Sequence, residues 1–209
     1  MFRVCGVMYV LADIDIYSRC LEQVKSYKYL GSIVSGANSI EEEIRERIAL
    51  GSKAYYSDKK IFKRELVSKK AKLKLYWTVI RPVITYASEM WVLQESMKRI
   101  LLITERKILG IFGPTRDGDG TWRIETNDQL NNLVRSKNII NYTTAQTLSW
   151  FGHVHQMTSD RMVKKLYNWK PKSTVLGGRP KTRWINDIKE DLRITKINNW
   201  TKSIQDWVK

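Results

Sequence analysis

Cysteine and histidine are nearly missing from this chain: Cys5, Cys20, His153 and His155 are all it has of the two in 209 residues. A zinc finger or zinc knuckle needs four ligands at close spacing, and no window of the sequence supplies them, so structural zinc is excluded. Two cysteines build no disulfide framework either, which points to an intracellular location, nucleus or cytoplasm. Long apolar runs are absent as well. The most apolar span, Leu75 to Leu93, carries Arg81 and Glu89, so no transmembrane helix and no membrane partner is expected. The N-terminal run MFRVCGVMYVLAD is near the lower limit for a signal peptide, with Val10 and Ala12 imitating a small-residue cleavage site; a buried β-strand is the competing reading.

Residues in a catalytic arrangement are equally scarce. Asp13 and Asp15 would face one side of a strand and could place two carboxylates near a metal, but simple alternation in LADIDIY accounts for them as well. His153 and His155 have no partner nucleophile in sequence, and His153 reads better as a residue that caps or packs near a helix end. Asp117 and Asp119 lack the remaining spacing and the closing Glu of a calcium loop, and read as turn residues in RDGDG. The expectation is therefore no catalytic residue, no metal site and no cofactor in this chain.

Acid is the third scarcity, and it leads to what is present. The chain has 37 Lys and Arg against 21 Asp and Glu, a net charge of +16 and a pI of about 9.8. Such an excess costs self-repulsion unless a polyanion relieves it, and RNA and/or DNA is the expected partner, ahead of an acidic protein or an anionic membrane. With 43% hydrophobic residues the chain can still bury a real core. No oligomeric state is specified by the sequence.

Hydrophobic periodicity reads as mainly α. Leu21, Val24, Tyr27, Tyr29, Ile33 and Val34, broken by Gly31 and closed by Gly36, suggest a short β-hairpin. Ser39 with Glu42 has the form of a capping box, and Ile40, Ile44 and Ile48 then predict a helix from about residue 39 into the sixties. Apolar residues from Leu75 to Trp91 keep helical spacing through Pro82, which predicts one kinked helix or two abutting ones. Met97 to Phe112 continue the pattern until Gly113-Pro114. Thr126 with Gln129 forms another cap, and further helices are expected over Ile139 to Phe151, after Asp160, and at about 181–194 and 199–208.

Cations gather in two zones. Lys59, Lys60, Lys63, Arg64, Lys69, Lys70, Lys72, Lys74 and Arg81 surround Glu65 alone, and a second group runs from Arg161 to Arg193. Either zone fits a surface that tracks a phosphate backbone or a solvated helix face; in the second, Asp187, Glu190 and Asp191 could pair with the cations. GRPKTRW, Gly178 to Trp184, sets three cations and an indole on backbone stiffened by Pro180. Trp77, Trp91 and Trp150 lie on apolar stripes and read as packing residues, whereas Trp184 is a candidate for nucleic-acid contact. The candidate binding residues are Lys59, Lys60, Lys63, Arg64, Lys69, Lys70, Lys72, Arg179, Lys181, Arg183 and Trp184.

Five strings carry a resemblance: VKSYKYLGSIVS at 24–35, EIRERIALGSKAYY at 43–56, KLKLYWTVIRPVITYASEMWVL at 72–93, WFGHVHQM at 150–157 and GRPKTRWINDIKEDL at 178–192. In this order they resemble the C-terminal part of LINE-type, non-LTR retrotransposon reverse transcriptases. The resemblance implies a residual palm-end β segment at 1–36, a thumb-like helical domain at 37–113 and a basic C-terminal helical region at 121–209. It also implies that the Mg²⁺-holding Tyr-X-Asp-Asp motif of the complete RNA-directed DNA polymerase lies upstream of KYLGS; this sequence lacks it. A truncated, non-enzymatic fragment with nucleic-acid affinity is expected. The alternatives are a domesticated stand-alone nucleic-acid-binding helical protein, or an enzyme completed in trans by a palm-bearing chain. Two departures stand out: the family usually has Gly where Ala87 stands and Thr where Met90 stands. Gly110 is expected to interrupt a helix at a cost of about 1 kcal/mol.

Overall fold

The computed structural model describes residues 14–16, 19–21, 24–36, 39–64, 66–110, 115–116, 118–123, 126, 128–129, 138–169 and 184–196. A short antiparallel ribbon comes first, β1 (Ile14–Ile16) with β2 (Arg19–Leu21). The expected hairpin follows, β3 (Ser26–Tyr29) with β4 (Ser32–Ser35), in register Tyr27↔Val34 and Tyr29↔Ser32. Its two-residue turn, Leu30-Gly31, has φ of 48° and 85°. Positive φ at both positions matches the twist of the flanking strands. Gly31 meets that demand freely, and Leu30 meets it against its own Cβ.

Helix α1 (Glu41–Ser57) starts with Glu41, Glu42 and Glu43, acids that complement the positive end of the helix dipole. The expected capping box is replaced by a bond over two residues, in which Ser39 Oγ accepts from the Glu41 N–H at 3.3 Å. The helix also stops at Ser57 instead of reaching the sixties. The chain turns at Asp58 into α2 (Lys59–Lys63), which brings Phe62 into full burial 5.6 Å from the Tyr55 ring. Burial of an aromatic ring outweighs the propensity of the sequence to continue helically.

Helix α3 (Lys69–Leu75) is capped by Ser68, whose Oγ accepts from Ala71 N–H at 3.2 Å. It runs through a π-helical turn (Tyr76–Ile80) into the short α4 (Arg81–Ile84), with Pro82 in its first turn. The wider turn just ahead of Pro82 is how one helical path tolerates the missing donor and the ring. Helical spacing then ends early. Thr85 to Ala87 form a turn with Ala87 at φ 59°, and Ser88–Met90 a 3₁₀ turn, yet Trp91 is still buried.

Helix α5 (Glu95–Leu109) ends with Gly110 as its C-cap, so the expected mid-helix penalty does not arise. Ribbon β5 (Thr115–Arg116) and β6 (Trp122–Arg123) enclose the expected turn, where Asp119 accepts from the Thr121 hydroxyl at 2.9 Å. Thr126 and Gln129 form the expected reciprocal cap, at 2.8 and 3.3 Å. Helix α6 (Ile139–Gln156) follows, then α7 (Met162–Asn168) and α8 (Trp184–Ile194). The helix expected at 199–208 lies outside the described residues, as do Ile111 and Phe112. The protein is thus mainly helical with a β-hairpin near its N-terminus.

Two cores result. The larger joins Ile44, Phe62, Leu73, Tyr76, Ile80, Ile84, Leu101 and Ile139, so α6 closes a cluster begun by α1. The smaller joins Phe151, Ile188 and Leu192 between α6 and α8, with Trp184 and Tyr167 at its edge.

Candidate nucleic-acid interface

Two buried charged clusters shape the body that carries the surface. In the first, Glu43 and Arg47, one turn apart on α1, pair at 2.6 Å with side chains 3% and 7% exposed. Glu43 also accepts from the Ile33 N–H at 2.5 Å, while Arg47 donates to the Gly31 carbonyl and lies 4.5 Å from the Tyr86 ring centre. Tyr86 closes the loop by donating to the Leu30 carbonyl at 3.0 Å. The hairpin is therefore clamped to α1 and to the turn after α4 by satisfied polar groups. Its outer face stays apolar and open, with Tyr27 and Val34 side by side and each about 60% exposed.

In the second cluster, buried Glu105 accepts from Tyr76 Oη at 2.7 Å and from the Ile139 N–H at 2.9 Å. A carboxylate from α5 thus sits on the N-terminus of α6, where the helix dipole favours it. Arg81 lies 4.2 Å from the Tyr142 ring centre and is 5% exposed. Burial raises the Glu105 carboxyl above the usual range, against the Ile139 and Tyr76 hydrogen bonds and the Arg81 charge. Burial and the Glu105 carboxylate also push the Tyr76 hydroxyl up. Arg81, grouped by sequence with the first cationic zone, is consequently a core residue and offers nothing to a phosphate.

The rest of that zone is outward. Phe62 and Leu73 are the buried anchors of α2 and α3, which turns the opposite sides of both helices to water. Lys60, Lys63, Arg64, Lys69 and Lys70 are exposed; Lys59 and Lys72 are half-buried. Lys59 lies 5.1 Å from the Tyr56 ring centre. Lys60, Lys63, Arg64, Lys70 and Lys72 make no ion pair among the described residues. Four surface cations elsewhere are paired: Arg45 with Glu41, Lys98 with Glu95, Arg193 with Glu190 and Lys28 with Glu46. Lys74, exposed on α3, belongs to the same surface.

The second zone is different. Arg179, Lys181 and Arg183 lie outside the described residues. Arg193 is held by Glu190, and Lys164 donates to the His155 carbonyl at 2.7 Å, capping the end of α6. Trp184, the candidate for nucleic-acid contact, has a packing role in the structure and remains half-buried. Its indole N–H donates to the Glu89 carbonyl at 2.9 Å and its ring meets Phe151 edge-on at 6.3 Å, so it locks α8 onto the body. Trp91 is buried and Trp77 packs against the larger core, as expected. Trp150 belongs to neither core. It lies half-buried beside His153, rings 5.4 Å apart, over a recess that no sequence pattern announced.

Fold and surface together define a helical body with a hairpin clamped to it and a band of outward cations on two short helices; four of these cations, Lys60, Lys63, Lys70 and Lys72, have no ion pair among the described residues. A transposon-derived, uncharacterized protein of Caenorhabditis elegans is 24% identical to it over 179 residues, covering 82% of this chain. The chain spans 62% of that relative's length. The likeness supports a transposon origin for the chain. No family model matches the sequence, and no solved structure matches the fold. Among the described residues no group of three His, Cys, Asp or Glu could hold a metal ion, and no helix is long and apolar enough to cross a membrane.

Proposed function

We propose that this chain is a nucleic-acid-binding portion of a LINE-type, non-LTR retrotransposon reverse transcriptase, separate from the catalytic palm and without polymerase chemistry of its own. The observation that carries the reading is the band on α2 and α3, where cations are anchored outward by Phe62 and Leu73 and Lys60, Lys63, Lys70 and Lys72 have no ion pair among the described residues. Uncompensated Lys and Arg groups recruit phosphate and release its counterions, which is the sequence-independent part of nucleic-acid binding. The five ordered strings support that ancestry, and the transposon-derived relative supports the coarser reading of a transposon origin. The open apolar face of the hairpin, Tyr27 with Val34, fits a place where the palm of a complete enzyme of that family would pack.

Backbone contacts suit a thumb, which holds template and primer by shape and charge while base pairing carries the sequence. Affinity for a short single strand or duplex should then fall with salt. If about six cations meet phosphates, log affinity against log salt has a slope of about −4 to −5. A flat dependence removes the proposal. A domesticated stand-alone binding protein would use the same surface, and the larger core, closed among α1, α3, α5 and α6, favours a body able to fold by itself.

A further inference from the structure

Helix α6 carries Gln146, Ser149, Trp150 and His153 at i, i+3, i+4 and i+7, hence along one side. That side is distinct from the row that packs inward, Thr143, Thr147, Phe151 and Val154. With Glu89 from the 3₁₀ turn, these four residues line an open recess of about 400 Å³.

The wall of the recess is fixed from both sides. Thr147 Oγ1, which donates to the Thr143 carbonyl at 3.0 Å, sits 3.5 Å from the Ser88 carbonyl, and the Trp184 indole donates to the Glu89 carbonyl at 2.9 Å. The Trp184 bond engages the backbone of the turn, and Glu89 is among the residues that line the recess. Among the described residues, the Glu89 carboxylate, the Gln146 amide and the Ser149 hydroxyl have no hydrogen-bond or ion-pair partner. Trp150 contributes a large π surface in contact with His153 and packs in neither core.

Aromatic surface beside unpaired donors and acceptors is the chemistry that receives a nucleobase. The carboxylate decides which part of a nucleotide enters, because it repels a phosphate and accepts from an amino group. Gln146 can both donate and accept, as the ring nitrogen and exocyclic amine of adenine require. We propose that the recess binds one unpaired base bearing an exocyclic amine, stacked on Trp150 and read on its edge by Glu89 and Gln146. The inference rests on the nucleic-acid reading above and adds a base contact to a backbone-binding surface.

The test uses the full chain and a short strand of abasic sugar-phosphates carrying one adenine, one thymine, or no base, with binding followed by fluorescence anisotropy. Adenine should bind about 10-fold more tightly than the baseless strand, with thymine in between, since stacking is shared and the edge contact is not. Gln146→Ala should remove the preference of adenine over thymine. Trp150→Ala should remove most of the gain of either base, and both variants should bind the baseless strand as the parent does. Equal binding of all three strands by the parent overturns the pocket and leaves the backbone surface standing. Absence of salt-dependent binding to the baseless strand, with a base preference retained, overturns the backbone surface and leaves the pocket.

Discussion

Replacing Arg47 with alanine isolates what holds the hairpin to the helical body. The side chain is 7% exposed and meets four groups: Glu43 at 2.6 Å, the Gly31 carbonyl, Ser32 Oγ at 3.5 Å and the Tyr86 ring at 4.5 Å. Truncation leaves the Glu43 carboxylate, 3% exposed, with the Ile33 N–H as its one remaining partner among the described residues. An uncompensated buried charge of this kind costs about 3–5 kcal/mol. That is a large share of the roughly 5–15 kcal/mol that stabilises a typical domain. Urea denaturation followed by circular dichroism reads the total, and amide exchange at Ile33 reads the local detachment. Arg47→Met combined with Glu43→Gln removes both charges and keeps an acceptor for Ile33, so it should recover most of the loss. A single-variant cost below about 1 kcal/mol, or a double variant no better than the single, would refute the reasoning.

Three other substitutions follow from the packing. A Cβ on Gly51 would stand 2.2 Å from Ile84 Cγ1, so Gly51→Ala should cost about 1–3 kcal/mol by thermal or urea unfolding in spite of its better helix propensity. Ala87 sits at φ 59°, a conformation costing a non-glycine residue about 1–2 kcal/mol, while glycine loses about 0.4–1 kcal/mol of that through the unfolded chain. Ala87→Gly should therefore stabilise by about 0.5–1 kcal/mol, with a raised Tm as the readout. Burial holds the Glu105 carboxyl above its unfolded value, so its stabilising contribution is full below the usual carboxylate range and declines as pH rises through the raised value. Glu105→Gln cannot accept from both Tyr76 and Ile139 and should be destabilised throughout; its deficit relative to the parent should be largest at low pH and shrink as pH rises.

Much of the fold could be read from the sequence because it depends on local signals. The hairpin follows from alternation ending in Gly31, and α5 and α6 from apolar residues at helical spacing. The misreadings arise where tertiary burial wins. Asp58 breaks a helix so that Phe62 can enter the core, and the run through Ala87 is interrupted by a left-handed turn that keeps Trp91 buried. The unusual Ala at 87 was visible as a departure from the resembled family, but only its positive φ explains why glycine is usual there. Charge alone grouped Arg81 with the surface lysines, since nothing local shows that Glu105 and Tyr142 will enclose it. The clamp of Glu43 and Arg47 carried a faint signal, an i,i+4 pair on the same side as Ile40, Ile44 and Ile48. The recess at Trp150 needed Glu89, 61 residues away, to become a site.

Charge reversal on the unpaired band tests the central claim most directly, because the protein supplies its own control. Lys60→Glu, Lys63→Glu and Lys70→Glu together remove three exposed cations without ion-pair partners among the described residues. Reversing Arg45 and Arg193 alters cations already held by Glu41 and Glu190. If α2 and α3 track the phosphate backbone, the first set should weaken binding in a sequence-independent way and flatten the salt slope by about 3, while the second leaves that slope nearly unchanged. Equal effects from the two sets, or none from the first, would contradict the account.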